Sequence, residues 1–511
     1  MEQLLFHPVR IAFLILWFYL CMYIVQRFEF SPIVPKKLKA SMNVLMLVFG
    51  PFVLSVFIAA EAAEKIMQQG LPFIDAVEAA FHRAGQIVNV SHFSGSRSKS
   101  SLVLLDSSGK NMFEVFGGGK DNSDSSAIEH THLIIANALD ELASDILINP
   151  VNSDTFSIRY RVDGMLRNVE EIDFRKCAAI VNSIKAVSSM DIAERRRPQD
   201  GAFIAKTPDG NVSFRVASAG VLHGEKLSIR ILNQAAKHLS IADVGMGERY
   251  QQLARETISR QQGMILVCGP TGSGKTTTMQ AMLCELDFNS RNVITIEDPI
   301  EYILPQASQI EINPKADITF AKALRSVLRQ DPDVISVGEI RDGETASVAL
   351  SASQTGHLVL ATLHSSSNAA TIVRLMDLGI KPLLISSAID LIISQRLIRK
   401  LCPTCNAAAD LTEAQMAIFQ QGEVDMSKIM QAKGCEYCNG TGYKGRIGIF
   451  DMMIVDEGVK AQILSENFSV SNFKNIGDEH YKTNLKKQAL KLAFAGITSL
   501  EEVKRVTSNL G

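Results

Sequence analysis

The chain has 511 residues, enough for three or four domains of ordinary size. Apolar residues make up 46% and charged residues 21%, which excludes a chain disordered throughout. With 52 Lys and Arg against 54 Asp and Glu the formal net charge is −2, which argues against a dedicated nucleic-acid coat protein, whose affinity would rest on excess cations.

Two apolar runs open the chain. IAFLILWFYLCMYIVQ fills positions 11–26 between Arg10 and Arg27, and SMNVLMLVFGPFVLSVFIAA fills 41–60 ahead of Glu61. A bilayer core needs about 20 helical residues, so the second run is long enough and the first needs its flanking arginines to snorkel. A cleaved signal peptide is the other reading of the first run, but no small-x-small pattern follows it. The loop between the runs carries Arg27, Lys36, Lys37 and Lys39 against Glu29 alone, a charge pattern that tends to stay cytosolic. That conflicts with two full crossings, and Gly50-Pro51 suits a kinked or re-entrant segment. Residues 1–61 are therefore expected to associate with a membrane, with the crossing count left open.

Residues 62–125 read as a small α/β region. A helical face carries Ile66, Phe73, Ile74, Val77 and Phe81, and a hairpin turns at Ser107-Ser108-Gly109. GGGKDNSDSS at 117–126 has linker composition. A mixed α/β unit occupies 126–236, opening on the helix HLIIANALDELA and continuing with the strands FSIRYRV and VSFRVASA. Across 237–401, the strands GMILVC, ITIED, VISVGE and LVLATLH alternate with helical stretches, which predicts a mainly parallel sheet covered on both faces. A cysteine segment at 402–447 and a helical region at 448–511 complete the chain.

The strand Gly263–Cys268 runs into GPTGSGKTT, followed by the helical MQAMLCEL. This is a phosphate loop in its required strand–loop–helix setting. Gly269, Pro270, Thr271, Gly272, Ser273, Gly274 and Thr277 form the expected nucleotide-binding loop, whose glycines would let backbone N–H groups converge on phosphate oxygens at a helix amino terminus. Lys275 should reach the β/γ-phosphates, and Thr276 should hold Mg2+. ATP is the expected nucleotide. Glu339 ends the hydrophobic strand VISVGE, with Gly338 where many such enzymes place Asp, so Glu339 is expected to act through metal-bound water or on the nucleophile. Glu297, Asp298 and Glu301 form a second acidic cluster. His357 and His364 bracket the strand LVLATL, and alternation puts them on opposite sides if the strand is straight.

Four of the eight cysteines form two CxxC pairs, Cys402/Cys405 and Cys435/Cys438, separated by 29 residues. The rest are scattered, which reads as a reducing compartment with one metal-type cluster. Four thiolates complete a tetrahedral zinc site with no open position, so the expected Zn2+ is structural. The helical LTEAQMAIFQQ can span the gap. A redox pair, or thiols packed without metal, are the alternatives.

Together these segments resemble the ATPases of bacterial type II secretion and type IV pilus assembly. The matching stretches are RYRVDG, ERRRPQDG, GPTGSGKTTT, IEDPIEY, LRQDPDVISVGEIRDGETA, TGHLVLATLH, QRLIRKLCPTC and GCEYCNGTGYKGRIGIF, over roughly residues 126–455. The resemblance implies a PAS-like domain joined to a RecA-like ATPase domain in a homohexamer. It also implies an inner-membrane platform protein as partner, and ATPase domains on the cytoplasmic face of the bacterial inner membrane. By the same resemblance Glu297 and Asp298 are the Asp-box acids, Glu339 is an atypical Walker B glutamate, and His357 and His364 form the His-box. Arg215 and Arg230, with Arg197 as a weaker candidate, are the arginines that bind nucleotide phosphate as the preceding domain closes. Two positions depart from the family's ASDIHIEP: Leu147 and Asn149 stand in ASDILINP. The cysteines favour an extension motor over a retraction motor. A nucleic-acid translocase is the alternative function, although no basic, aromatic-interleaved stripe is present and no nucleic acid is expected. A non-catalytic scaffold is a third reading, opposed by Lys275, Thr276 and Glu339.

Overall fold

The computed structural model describes residues 102–508, apart from Ser107 and residues 113–121, 209, 234–238, 422–424, 466–467 and 474–483. Both apolar runs and the helical pattern after them lie outside the described residues. Among those described, no helix is long and apolar enough to cross a membrane.

The first sheet contains β1 (Val103–Leu105), β2 (Asp145–Pro150), β3 (Thr155–Val162), β4 (Met165–Asp173), β5 (Gln199–Thr207), β6 (Gly210–Val221) and β7 (Gly224–Asn233). They lie in the order β1-β5-β6-β7-β2-β3-β4, antiparallel throughout. Side chains alternate along β6, with Val212, Phe214 and Val216 buried and Arg215 outward. The buried face packs on α1 (Asn122–Asp140) and α2 (Phe174–Val187) through Ile146, Ile158, Phe203, Phe214, Ile135, Ile180 and Ile184. The expected turn forms where Asp106 accepts from the Ser108 and Lys110 amides at 2.9 and 2.8 Å. One boundary moves: α1 already begins at Asn122, within the stretch whose composition suggests a linker. Asn, Ser and Asp are also residues that start helices, so composition alone misplaces this edge.

The second sheet has β8 (Gly263–Cys268), β9 (Val293–Glu297), β10 (Ser308–Glu311), β11 (Val334–Val337), β12 (Leu358–Leu363), β13 (Ile389–Leu401) and, after the small ribbon of β14 (Asn406–Ala408) and β15 (Met430–Ala432), β16 (Tyr443–Ile454). Its order is β10-β9-β11-β12-β8-β13-β16, parallel except for the antiparallel β16. β8 and β12 are buried at every position, as a sheet covered on both faces requires. Ile265 and Val267 pack toward α3 (Glu248–Ile258) and α4 (Lys275–Cys284). Met264 and Leu266 pack toward α5 (Phe320–Val327), α6 (Gly343–Gln354), α7 (Asn368–Asp377) and α8 (Pro382–Ala388). Each such buried side chain contributes roughly 1.5–3 kcal/mol.

β16 crosses the 447/448 boundary expected from sequence and returns the chain to the ATPase sheet. Two carboxy-terminal helices, α9 (Leu485–Phe494) and α10 (Leu500–Thr507), dock on β13 and β16 through Ile398, Ile449, Ala489, Ala493 and Val503. Glu502, fully buried, accepts from Arg399 Nη2 at 2.7 Å and Arg505 Nη2 at 2.6 Å. The tail is therefore fastened to the sheet by paired charges as well as apolar contact.

Candidate active site

The phosphate loop joins the end of β8 to α4. Gly274, the residue before the helix, has φ +86°, and Gly272 has φ +74°, both in the region that favours glycine. A Cβ on Gly269 would lie 2.5 Å from Ser273 Oγ and 2.6 Å from the Gln395 carbonyl oxygen, so β13 presses against the loop. Lys275 Nζ donates to the carbonyls of Gly269 and Pro270 at 3.0 and 3.1 Å. Burial holds its pKa below the ordinary lysine value, while the nearby Glu339 opposes that shift. The Glu301 carboxyl is pushed up by burial and by neighbouring Glu297, a shift that the nearby Thr276 hydroxyl opposes. Thr277 Oγ1 lies 3.4 Å from the Tyr302 hydroxyl.

Strand ends on either side supply the acids. Glu297, buried at the end of β9, accepts from Thr295 Oγ1 at 2.6 Å and Gln309 Nε2 at 3.0 Å. Asp298, the next residue, pairs with Arg341 Nη2 at 3.3 Å. Glu339 stands two residues beyond the end of β11, held between Arg341 and His364 Nε2, the latter at 3.3 Å. The strand is thus shorter than the sequence suggests. A Cβ on Gly338 would come 3.1 Å from the Ile296 carbonyl, and the crowding of β9 against β11 leaves little room for an acid there.

The two histidines part company. His364 joins the acids. His357 precedes β12, with Nδ1 3.0 Å from the Ala352 carbonyl and its own carbonyl accepting from Gly263 N at the start of β8. Six strand residues, about 20 Å, separate the two ends. The structure does not bring His357 to the phosphate loop of its own chain. Here the separation is along the strand, not merely between its two sides.

Arg215 and Arg230 face each other across β6 and β7. Arg215 Nη2 reaches Glu311 Oε1 at 2.8 Å on β10, where Glu311 is in register with Glu297. Arg230 Nε lies 3.4 Å from Asp145 Oδ1, and its charge opposes the upward shift at Glu301. Arg215 therefore rests on a carboxylate at the edge of the ATPase sheet, and Arg230 on one within its own sheet. Arg197 is 86% exposed on its side chain and pairs with Glu194 at 3.7 Å. Leu147 and Asn149 alternate with buried Ile146 and Ile148, so they lie on the same outward face as Arg159. A second tie joins the sheets where Asp163, between β3 and β4, accepts from Gly445 N at 2.8 Å and pairs with Arg446.

The four cysteine sulfurs lie within 4.8 Å of one another, and all four are free thiols. Cys402–Cys435 is 3.9 Å, Cys405–Cys438 is 3.8 Å and Cys435–Cys438 is 3.8 Å. A tetrahedral set of Zn–S bonds near 2.3 Å gives sulfur separations of about 3.8 Å, so this donor set fits zinc. Cys438 Sγ also accepts from the amides of Cys435 and Gly442 at 3.2 and 3.1 Å, contacts that favour a thiolate.

Sequence reasoning did not find roles for Arg341, Glu311 or Asp163. Arg341 follows Glu339 by two residues and could have been noticed as its partner. Glu311 and Asp163 pair across long separations that no local pattern reveals.

A phosphate loop at the carboxyl end of a parallel sheet, flanked by strand-end acids and preceded by an antiparallel α/β unit, defines a RecA-like P-loop ATPase. Residues 120–505 match the model of the type II/IV secretion system protein family, and the chain belongs to that family. It is 40% identical over 391 residues to type II secretion system protein E of Pseudomonas aeruginosa, covering 76% of this chain and 77% of that one. It is likewise 40% identical over 388 residues to type II secretion system ATPase E of Vibrio cholerae, covering 76% of each. Among solved structures, the ADP-bound pilus retraction motor PilT matches with TM-score 0.50 and 26% identity, over 73% of this chain and 95% of that one. The Legionella pneumophila ATPase DotB shares the fold, with TM-score 0.55 and 22% identity over 73% and 93% of the two chains. The chain is an ATPase motor of the secretion and pilus-assembly class.

Proposed function

We propose that the chain works as a homohexamer at the bacterial inner membrane. ATP hydrolysis on its cytoplasmic face would drive a platform protein that assembles pilin-like subunits, with residues 11–60 at the membrane. The observation that carries this reading is the pair Arg215–Glu311, which puts a cation of the first sheet at the edge of the sheet that holds the phosphate loop.

In this reading the glycines and backbone amides of 269–277 cradle the phosphates, and Lys275 leaves its two carbonyls to meet the β- and γ-oxygens. The oxygens of Thr276 and Glu301 suit a hard cation and would hold Mg2+, which supplies positive charge across the phosphate oxygens. Glu339 polarises the attacking water, with Arg341 and His364 fixing its two oxygens. Glu297 and Asp298 hold the acidic side of the site. Negative charge growing on the γ-phosphate draws Arg215 and Arg230 from their carboxylates, so that hydrolysis requires closure and closure requires nucleotide. Cys402, Cys405, Cys435 and Cys438 would hold a structural Zn2+, which would tie the end of β13 to the start of β16.

The test is Mg2+-dependent ATPase activity of the full-length, detergent-solubilised protein carrying Arg215→Ala or Arg230→Ala. Both should lower kcat more than they raise KM. Unchanged kcat in both variants would exclude the closure mechanism, and turnover that requires added single-stranded DNA would favour the translocase instead.

A further inference from the structure

Strand β13 lies beside β8, and its middle backs the phosphate loop: Ser394 is in register with Cys268, and the Gln395 carbonyl stands against Gly269. Ser394 and Arg396, two residues apart, project to the same side. Both reach the segment 364–368 that joins β12 to α7. Ser394 Oγ donates to Asn368 Oδ1 at 2.6 Å, and Arg396 Nη2 donates to the Ser366 carbonyl at 2.7 Å. The segment is also tied to its own helix, because Ser367 Oγ accepts from Ala370 N at 3.2 Å. Its first residue is His364, whose Nε2 is 3.3 Å from Glu339.

Arg396 has an unusual position for a cation. It is partly buried, and among the described residues it makes no ion pair with a carboxylate. It donates instead to two carbonyls, Ser366 through Nη2 and Gln395 through Nη1 at 2.9 Å. Burial depresses its pKa, and its charge also depresses that of Lys275. Keeping a guanidinium here costs stability, which a solely apolar contact would avoid. What the planar fork provides is two donors in fixed relation. One grips the strand segment that backs the phosphate loop, and the other grips the loop that carries His364.

We propose that Arg396 is a positioning residue for ATP cleavage: its fork ties the Ser366 carbonyl to β13 and so holds His364 against Glu339. This rests on the reading above that Glu339 and His364 serve the hydrolytic step.

The experiment measures kcat, KM and the affinity for a fluorescent ADP analogue in the full-length protein, for Arg396→Ala, Arg396→Lys, His364→Ala and the double variant Arg396→Ala/His364→Ala. Melting temperature and assembly state are recorded alongside. Both Arg396 variants are expected to lose about tenfold or more in kcat while nucleotide affinity stays within about threefold, because a single ammonium cannot reproduce the fork. The double variant should be no slower than His364→Ala alone, since both changes remove one function. Full turnover in Arg396→Lys, or a loss of affinity equal to the loss in kcat, would overturn the proposal in favour of a simple phosphate-attracting charge. Multiplying losses in the double variant would overturn it too. Unchanged kcat in His364→Ala would instead bring down the reading of the active site on which the proposal stands.

Discussion

The two seven-stranded sheets hold their charged side chains in different ways. In the parallel sheet, β8 and β12 are buried throughout, and the acids at the strand ends are braced: Glu297 by Thr295 and Gln309, Glu339 by Arg341 and His364. In the antiparallel sheet one face is open, and Arg215 and Arg230, 45% and 64% exposed, rest on single carboxylates. Exposed ion pairs contribute only about 0–1 kcal/mol, so these arginines can change partners at small cost. Removing a hydrogen bond from a buried carboxylate costs more. One sheet holds its charges in buried, multiply bonded settings, and the other leaves them on single, exposed partners.

That contrast can be broken at several points. The largest effect is expected for Lys275→Ala, which removes the cation nearest the phosphates and should lower Mg2+-dependent turnover by about 100-fold or more. Continued full turnover would show that the braced sheet is not the catalytic one. Arg215→Ala and Arg230→Ala should each cost roughly 10- to 100-fold in kcat in steady-state assays, with smaller changes in KM. Cys402→Ser should abolish stoichiometric zinc and lower the melting temperature, while nucleotide affinity stays within about threefold. Metal content by mass spectrometry and thermal melts check this together.

Two smaller effects sharpen the comparison. Glu311→Gln weakens the resting partner of Arg215 and should raise basal turnover by about two- to fivefold at subsaturating ATP, if leaving Glu311 opposes closure. Asp451, on β16, accepts from Asn368 Nδ2 at 3.2 Å, and burial pushes its carboxyl up to about 7. Between the ordinary carboxylate range and that value the unfolded chain has released this proton while the folded chain retains it. Stability should therefore fall as pH rises through that window, and Asp451→Asn should remove this dependence. Thermal melts should show little difference between the two proteins below about pH 4 and a higher Tm for the variant at pH 8.

What could be read from the sequence was local. The phosphate loop is one continuous stretch whose backbone conformation its own glycines permit, and paired CxxC spacings state a donor set directly. Buried strands such as GMILVC and LVLATL announce themselves by unbroken hydrophobicity. What escaped depends on the third dimension. His357 and His364 are near in number yet sit at opposite ends of a strand. Arg215 and Glu311, or Asp163 and Arg446, are far apart in number and meet only because the outward face of β6 and the β3–β4 turn come against the two edge strands of the second sheet, β10 and β16. The strand Tyr443–Ile454 rejoins the ATPase sheet because Leu391–Leu401 offers it an antiparallel edge, which the cysteine punctuation of the sequence concealed.

A structure of the full-length protein with Mg2+ and a non-hydrolysable ATP analogue tests the central claim most directly. In at least one subunit Arg215 should have left Glu311, and both Arg215 and Arg230 should lie within hydrogen-bonding reach of the γ-phosphate. If Arg215 remains on Glu311 and both guanidiniums stay away from the triphosphate in every subunit, the exchange of partners is contradicted.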